Sequence, residues 1–108
     1  MIRRLLIFAL LTATAFTAVA REPIMRDGIA FANRDDVAPL PPVEWRQIRR
    51  LLPLKREYSA YFVMRDGLEK VTVELRSTFQ ATRGYHVAFR KRNGEWFKSD
   101  GYFVKIPQ

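Results

Sequence analysis

Tyr58-Ser59-Ala60-Tyr61-Phe62-Val63-Met64-Arg65-Asp66-Gly67-Leu68-Glu69-Lys70-Val71-Thr72-Val73-Glu74-Leu75-Arg76-Ser77 is the stretch on which the fold turns. Its first part is rich in aromatic and β-branched residues, which suit a half-buried pleated surface. Its second part alternates cleanly, with Val71, Val73 and Leu75 in one phase and Lys70, Thr72, Glu74 and Arg76 in the other. Strict alternation marks a strand with one face on a core. Asp66-Gly67 between the two runs is the residue pair of a two-residue hairpin turn. If it forms that turn, Phe62 meets Val71, Ala60 meets Val73 and Tyr58 meets Leu75 on the apolar face. Glu57 then lies opposite Arg76 as a favourable outer-face pair.

The chain beyond repeats the pattern. Tyr85, Val87 and Phe89 share a phase, and Asn93-Gly94 is a second hairpin signal. Residues 95–106 return as a last strand, with a bulge or bend expected near Gly101. Upstream, Trp45, Ile48, Leu51 and Leu52 recur at helical spacing. Pro41-Pro42 supplies a start and Pro53 a stop, so a short helix is expected over 43–52. These signals predict an α+β domain over residues 43–108: one short helix packed on a four-stranded antiparallel meander sheet, preceded by a signal peptide.

That order, with the run Gly84-Tyr85-His86-Val87-Ala88-Phe89-Arg90, then Asn93-Gly94-Glu95-Trp96-Phe97-Lys98 and Gly101-Tyr102-Phe103, resembles the bent sheet of cystatin-like and NTF2-like domains. The resemblance is architectural and covers about half the chain. It implies a curved sheet, and it carries over no catalytic residue.

The first twenty residues read as an address. Arg3-Arg4 precede the apolar run Leu5-Leu6-Ile7-Phe8-Ala9-Leu10-Leu11, and Ala18-Val19-Ala20 is an A-x-A site. This is the three-part pattern of a secretory signal peptide, cleaved between Ala20 and Arg21. The uncharged run from Leu5 to Ala20 falls short of the ~20 residues of a membrane span. Export to the periplasm or medium is expected, with no transmembrane helix in the mature chain. Residues 21–42 read as an acidic, Pro-containing leader. Glu22, Asp27, Asp35 and Asp36 outnumber Arg21, Arg26 and Arg34, and Pro39-Leu40-Pro41-Pro42 favours extended backbone.

The 108-residue chain has no cysteine and one histidine. A disulfide framework, a thiol nucleophile and a multi-His metal site are excluded. His86 lacks a partner carboxylate in the expected register and reads as a surface residue. Glu57 and Glu74 on one sheet face would resemble a glycosidase pair, but Arg76 opposite Glu57 favours ionised, structural carboxylates. No catalytic residue, metal ligand or cofactor is expected.

Charge is the anomaly. The chain carries 19 Lys+Arg against 11 Asp+Glu, a formal charge of +8. Arg46, Arg49 and Arg50 crowd the outer face of the helix, followed by Lys55 and Arg56. Arg90, Lys91 and Arg92 cluster at the Asn93-Gly94 hairpin. The plain reading is a solubilising surface. The functional reading is an anion-binding one. Tyr61, Val63, Phe97 and Phe103 fall on the outer sheet face and read as an interaction face.

The sequence therefore points to an exported, non-enzymatic binding module. Its expected partner is an anionic envelope component or a protein, with a homodimer through the sheet as a further association. Nucleic acid matches the charge, but export argues against it. The alternative is an accessory or inhibitor protein that docks through its sheet face. A small enzyme with a pocket in the curved sheet comes last.

Overall fold

In the computed structural model, residues 23–34 and 38–107 are described. The signal segment, the Ala20/Arg21 site and Asp35, Asp36 and Val37 lie outside them. The described chain builds a six-stranded mixed sheet in the spatial order of the sequence, with a single helix. The expected four-stranded antiparallel meander is overturned.

Two strands come from the stretch read as a leader. β1 (Ile24–Arg26) and β2 (Ile29–Asn33) form a hairpin, with Arg26 opposite Ile29. Its turn is Asp27-Gly28, with φ of 51° and 78°. Two successive positive φ angles are what a type I′ turn requires, and Asp-Gly adopts them readily. β2 then lies parallel to β3 (Tyr58–Arg65). Parallel neighbours need a long crossover. Residues between them supply it through α1 (Pro42–Arg50). Leader, helix and first hairpin strand are thus one β-α-β unit.

β3 pairs antiparallel with β4 (Lys70–Ser77), β4 with β5 (Arg83–Arg92), and β5 with β6 (Glu95–Lys105). The Asn93-Gly94 hairpin forms with Arg92 opposite Glu95. Its φ angles are 53° and 81°. The Asp66-Gly67 turn does not form as expected. Only Gly67 has positive φ there, so the type I′ geometry is absent. Asp66 N–H donates to the Lys70 carbonyl at 2.8 Å instead, across a longer loop.

This loop changes the register. Arg65 faces Val71 and Val63 faces Val73, while Phe62 faces Glu74. A bulge between Ala60 and Phe62 then resets the phase, so that Ala60 faces Leu75 and Tyr58 faces Ser77. An extra residue in one strand swaps its faces. Tyr58 and Ala60 keep the core side, and Val63 takes the place expected for Phe62. Val63 is fully buried. Ser59, not Glu57, faces Arg76. A second irregularity between Ala88 and Phe89 on β5 puts His86 opposite Tyr102 rather than Gly101.

The core lies between one sheet face and the crossover. Phe31, Leu40, Trp45, Ile48, Val63, Val73, Leu75, Val87, Phe89 and Trp96 pack in it. Phe31 and Trp45 meet edge to face at 5.4 Å, which fastens the helix to β2. Arg65 is buried among them. Its guanidinium donates to the Ala38 carbonyl at 2.9 Å and pairs with Glu44 at 3.9 Å.

Candidate anion-binding groove

The site begins at the last turn of α1. Pro42 starts the helix, where a missing N–H costs nothing. Trp45 and Ile48 are buried and Arg46, Arg49 and Arg50 are exposed, as the amphipathic spacing requires. Arg49 and Arg50 in the last turn complement the helix dipole. Lys55 Nζ donates to the Arg50 carbonyl at 2.8 Å and satisfies one of the orphan acceptors of the helix end. Pro53 prevents continuation. Leu54 bends the chain with φ of 58°. Its carbonyl accepts from Glu57 N–H at 3.2 Å and from Tyr58 N–H at 3.0 Å, which delivers the chain into β3.

Between this corner, the β1–β2 turn and the start of β3 lies an open groove of about 780 Å³. Trp45, Leu52, Tyr58, Ala60 and Leu75 contribute its apolar lining, and Arg49, Arg50, Lys55 and Arg76 its cations. Asp27 is the one acidic lining residue among those described. The Arg76 guanidinium lies over the Tyr61 ring, 4.8 Å from its centre. Such stacking orients the cation while leaving its N–H groups free to donate. The volume falls within the ~300–1,000 Å³ typical of ligand clefts.

The structure divides the predicted basic set. Arg49, Arg50 and Lys55 line the groove. Arg46 borders a neighbouring cleft with Arg26 and Phe31. Arg56 is exposed beyond the groove lining. Lys91 is committed elsewhere: its Nζ donates to Glu44 Oε1 at 3.0 Å. Trp96 Nε1 donates to the same oxygen at 3.0 Å. Arg92 stacks on Phe97 at 5.1 Å, and Arg90 is exposed on the same strand. Glu44 sits in the first turn of α1 and Arg49 and Arg50 in the last. A nine-residue helix is about 13 Å long, so the two basic clusters flank opposite helix ends.

The proposed interaction face does not assemble. Val63 is core, which corrects its placement on the outer face. Tyr61 belongs to the groove. Phe103 packs on Tyr85 at 4.9 Å on the helix side of the sheet. Phe97 faces Arg90 on the other side. Register explains the split, because the bulges move residues between faces.

Arg76 and Tyr58 were missed as groove residues. The Asp27-Gly28 pair was the available signal: it carries the same turn chemistry as Asn93-Gly94 and would have revealed the β1–β2 hairpin that walls the groove. His86 also differs from its expected isolation. Its Nδ1 lies 2.5 Å from Glu74 Oε2, and its ring stacks on Tyr102 at 4.8 Å. Glu74 is therefore paired with His86, not poised beside Glu57. Among the described residues no cluster of three His, Asp or Glu side chains is placed to hold a metal ion. No helix among them is long and apolar enough to cross a membrane. Comparison of the chain with protein-family models, with curated proteins and with solved structures finds no match.

Proposed function

We propose that this chain is an exported, non-enzymatic binding module that takes an anionic partner in the groove at the C-terminal end of α1. One observation carries the reading: Arg49, Arg50, Lys55 and Arg76 converge on one apolar-lined groove, with Asp27 as the sole acid there among the described residues. Three of those cations come from the helix corner and one from β4, so the fold, not local sequence, gathers them. Guanidinium groups suit bidentate contact with phosphate or carboxylate. Export rests on the sequence pattern of residues 1–20, and N-terminal sequencing of exported protein starting at Arg21 would support it.

Trp45 lines the groove and gives an intrinsic signal. Titration with polyphosphate, followed by tryptophan fluorescence and calorimetry, tests the reading. The expected outcome is binding that weakens with added salt and falls at least tenfold in Arg49→Glu/Arg50→Glu. An equal loss in Arg90→Glu/Arg92→Glu would move the site to the hairpin, and unchanged binding in both would leave the groove without a role.

A further inference from the structure

One wall of the groove is an unpaired strand edge. β2 pairs with β3 only from Ala30 opposite Phe62 onward to Asn33 opposite Arg65. The chain reverses at Asp27-Gly28 before it can run beside the first half of β3. On that side of Tyr58–Tyr61 no strand is paired among the described residues. Tyr58, Ser59, Ala60 and Tyr61 all line the groove.

Ladder geometry fixes which backbone groups face it. Thr78 N–H donates to the Glu57 carbonyl at 2.8 Å. Antiparallel ladders alternate, so Ser59 turns its backbone groups to β4, while Tyr58 and Ala60 turn theirs to the groove. The Tyr58 N–H is already used by the Leu54 carbonyl at 3.0 Å. The Tyr58 carbonyl and the Ala60 N–H and carbonyl remain as a short template.

We infer that the groove takes an extended acidic segment of a partner protein, added as a strand beside Tyr58–Tyr61. This rests on the anion-binding reading and names its partner. Strand addition takes affinity from main-chain hydrogen bonds and selectivity from alternate side chains. Both elements are present here. The free edge supplies the backbone groups. Cations stand on both sides of it, with Arg49, Arg50 and Lys55 from the helix corner and Arg76 from the neighbouring strand. A strand laid in the groove presents successive side chains to opposite faces, so carboxylates of one phase meet Arg49, Arg50 and Lys55 at the helix corner, while the other phase turns to the side of Arg76. A small free anion would use the cations and leave the edge unpaired. Among the described residues the outer edges of β1 and β6 are also unpaired, but β1 has three residues and neither edge borders the basic groove.

The test uses the unaltered chain and a fluorescein-labelled octapeptide of alternating Glu and Val, read by anisotropy. Two further versions carry N-methyl groups on the backbone nitrogens of the Glu residues or of the Val residues. A strand in the groove turns only one phase of its N–H groups to β3. The expected result is that one methylated version binds at least tenfold more weakly, while the other binds like the unmodified peptide. Equal binding of all three, or equal loss in both methylated versions, would overturn strand addition. Polyphosphate binding without peptide binding would overturn it too and leave the anion-binding reading standing. Failure of both ligands would remove both.

Discussion

Glu44 is the residue that fastens the helix to the far strands. Its carboxylate accepts from Lys91 and Trp96 and pairs with the buried Arg65. Burial opposes its ionisation, but the bonds donated by Lys91 and Trp96 and the charges of Lys91 and Arg65 outweigh that cost and hold its carboxyl below the usual glutamate range. A carboxylate with a depressed folded pKa stabilises the fold above its unfolded value of ~4.3, and the gain is lost as pH falls through the folded value. Urea denaturation of the chain and of Glu44→Gln therefore separates by about 1.5–3 kcal/mol near neutral pH, the range for hydrogen bonds to charged groups. The separation should shrink steadily below about pH 4. A gap as large at pH 3 as at pH 7 would assign the effect to packing. None of this was visible in the sequence, where no local pattern links Glu44 to the groups it binds. Its partners lie 47 and 52 positions away.

At the scale of the element, β3 shows how a turn sets a face. A two-residue Asp66-Gly67 turn would bury Phe62. The longer loop and the bulge at Tyr61 bury Val63 and leave Phe62 half-exposed opposite Glu74. Leu75→Ala should cost roughly 2–5 kcal/mol, as for other buried leucines, while Phe62→Ala should cost less than half as much. Urea melts of the two variants decide the matter, and equal losses would restore the shorter turn. The helix and the alternation of β4 were readable because each depends on spacing within one segment. The register between strands was not, because Asp-Gly permits a type I′ turn without enforcing it, and the loop that wins is the one that seats Val63 against Val73 and Arg65 beside Glu44.

In the whole molecule, stability is concentrated in the middle of the sheet. Val63, Val71, Val73, Val87 and Phe89 are fully buried, whereas Ile24 and Met25 on β1 are exposed at the edge. Amide hydrogen exchange should be slowest in β4 and β5 and fastest in β1, since local opening follows burial and pairing. Protection of β1 equal to that of β4 would mean that the sheet opens as a single unit. The same architecture decides what the charges do. The sequence by itself determined the helix, the alternating strands, the Asn93-Gly94 hairpin and the excess of basic residues, because propensity, period and composition are local properties of the chain. The parallel pairing of β2 with β3, the face each β3 residue takes and the gathering of Arg76 with Arg49, Arg50 and Lys55 were decided only by the tertiary structure. They depend on contacts between segments far apart in sequence, where burying Phe31, Trp45 and Val63 together selects one arrangement among several that local preferences allow.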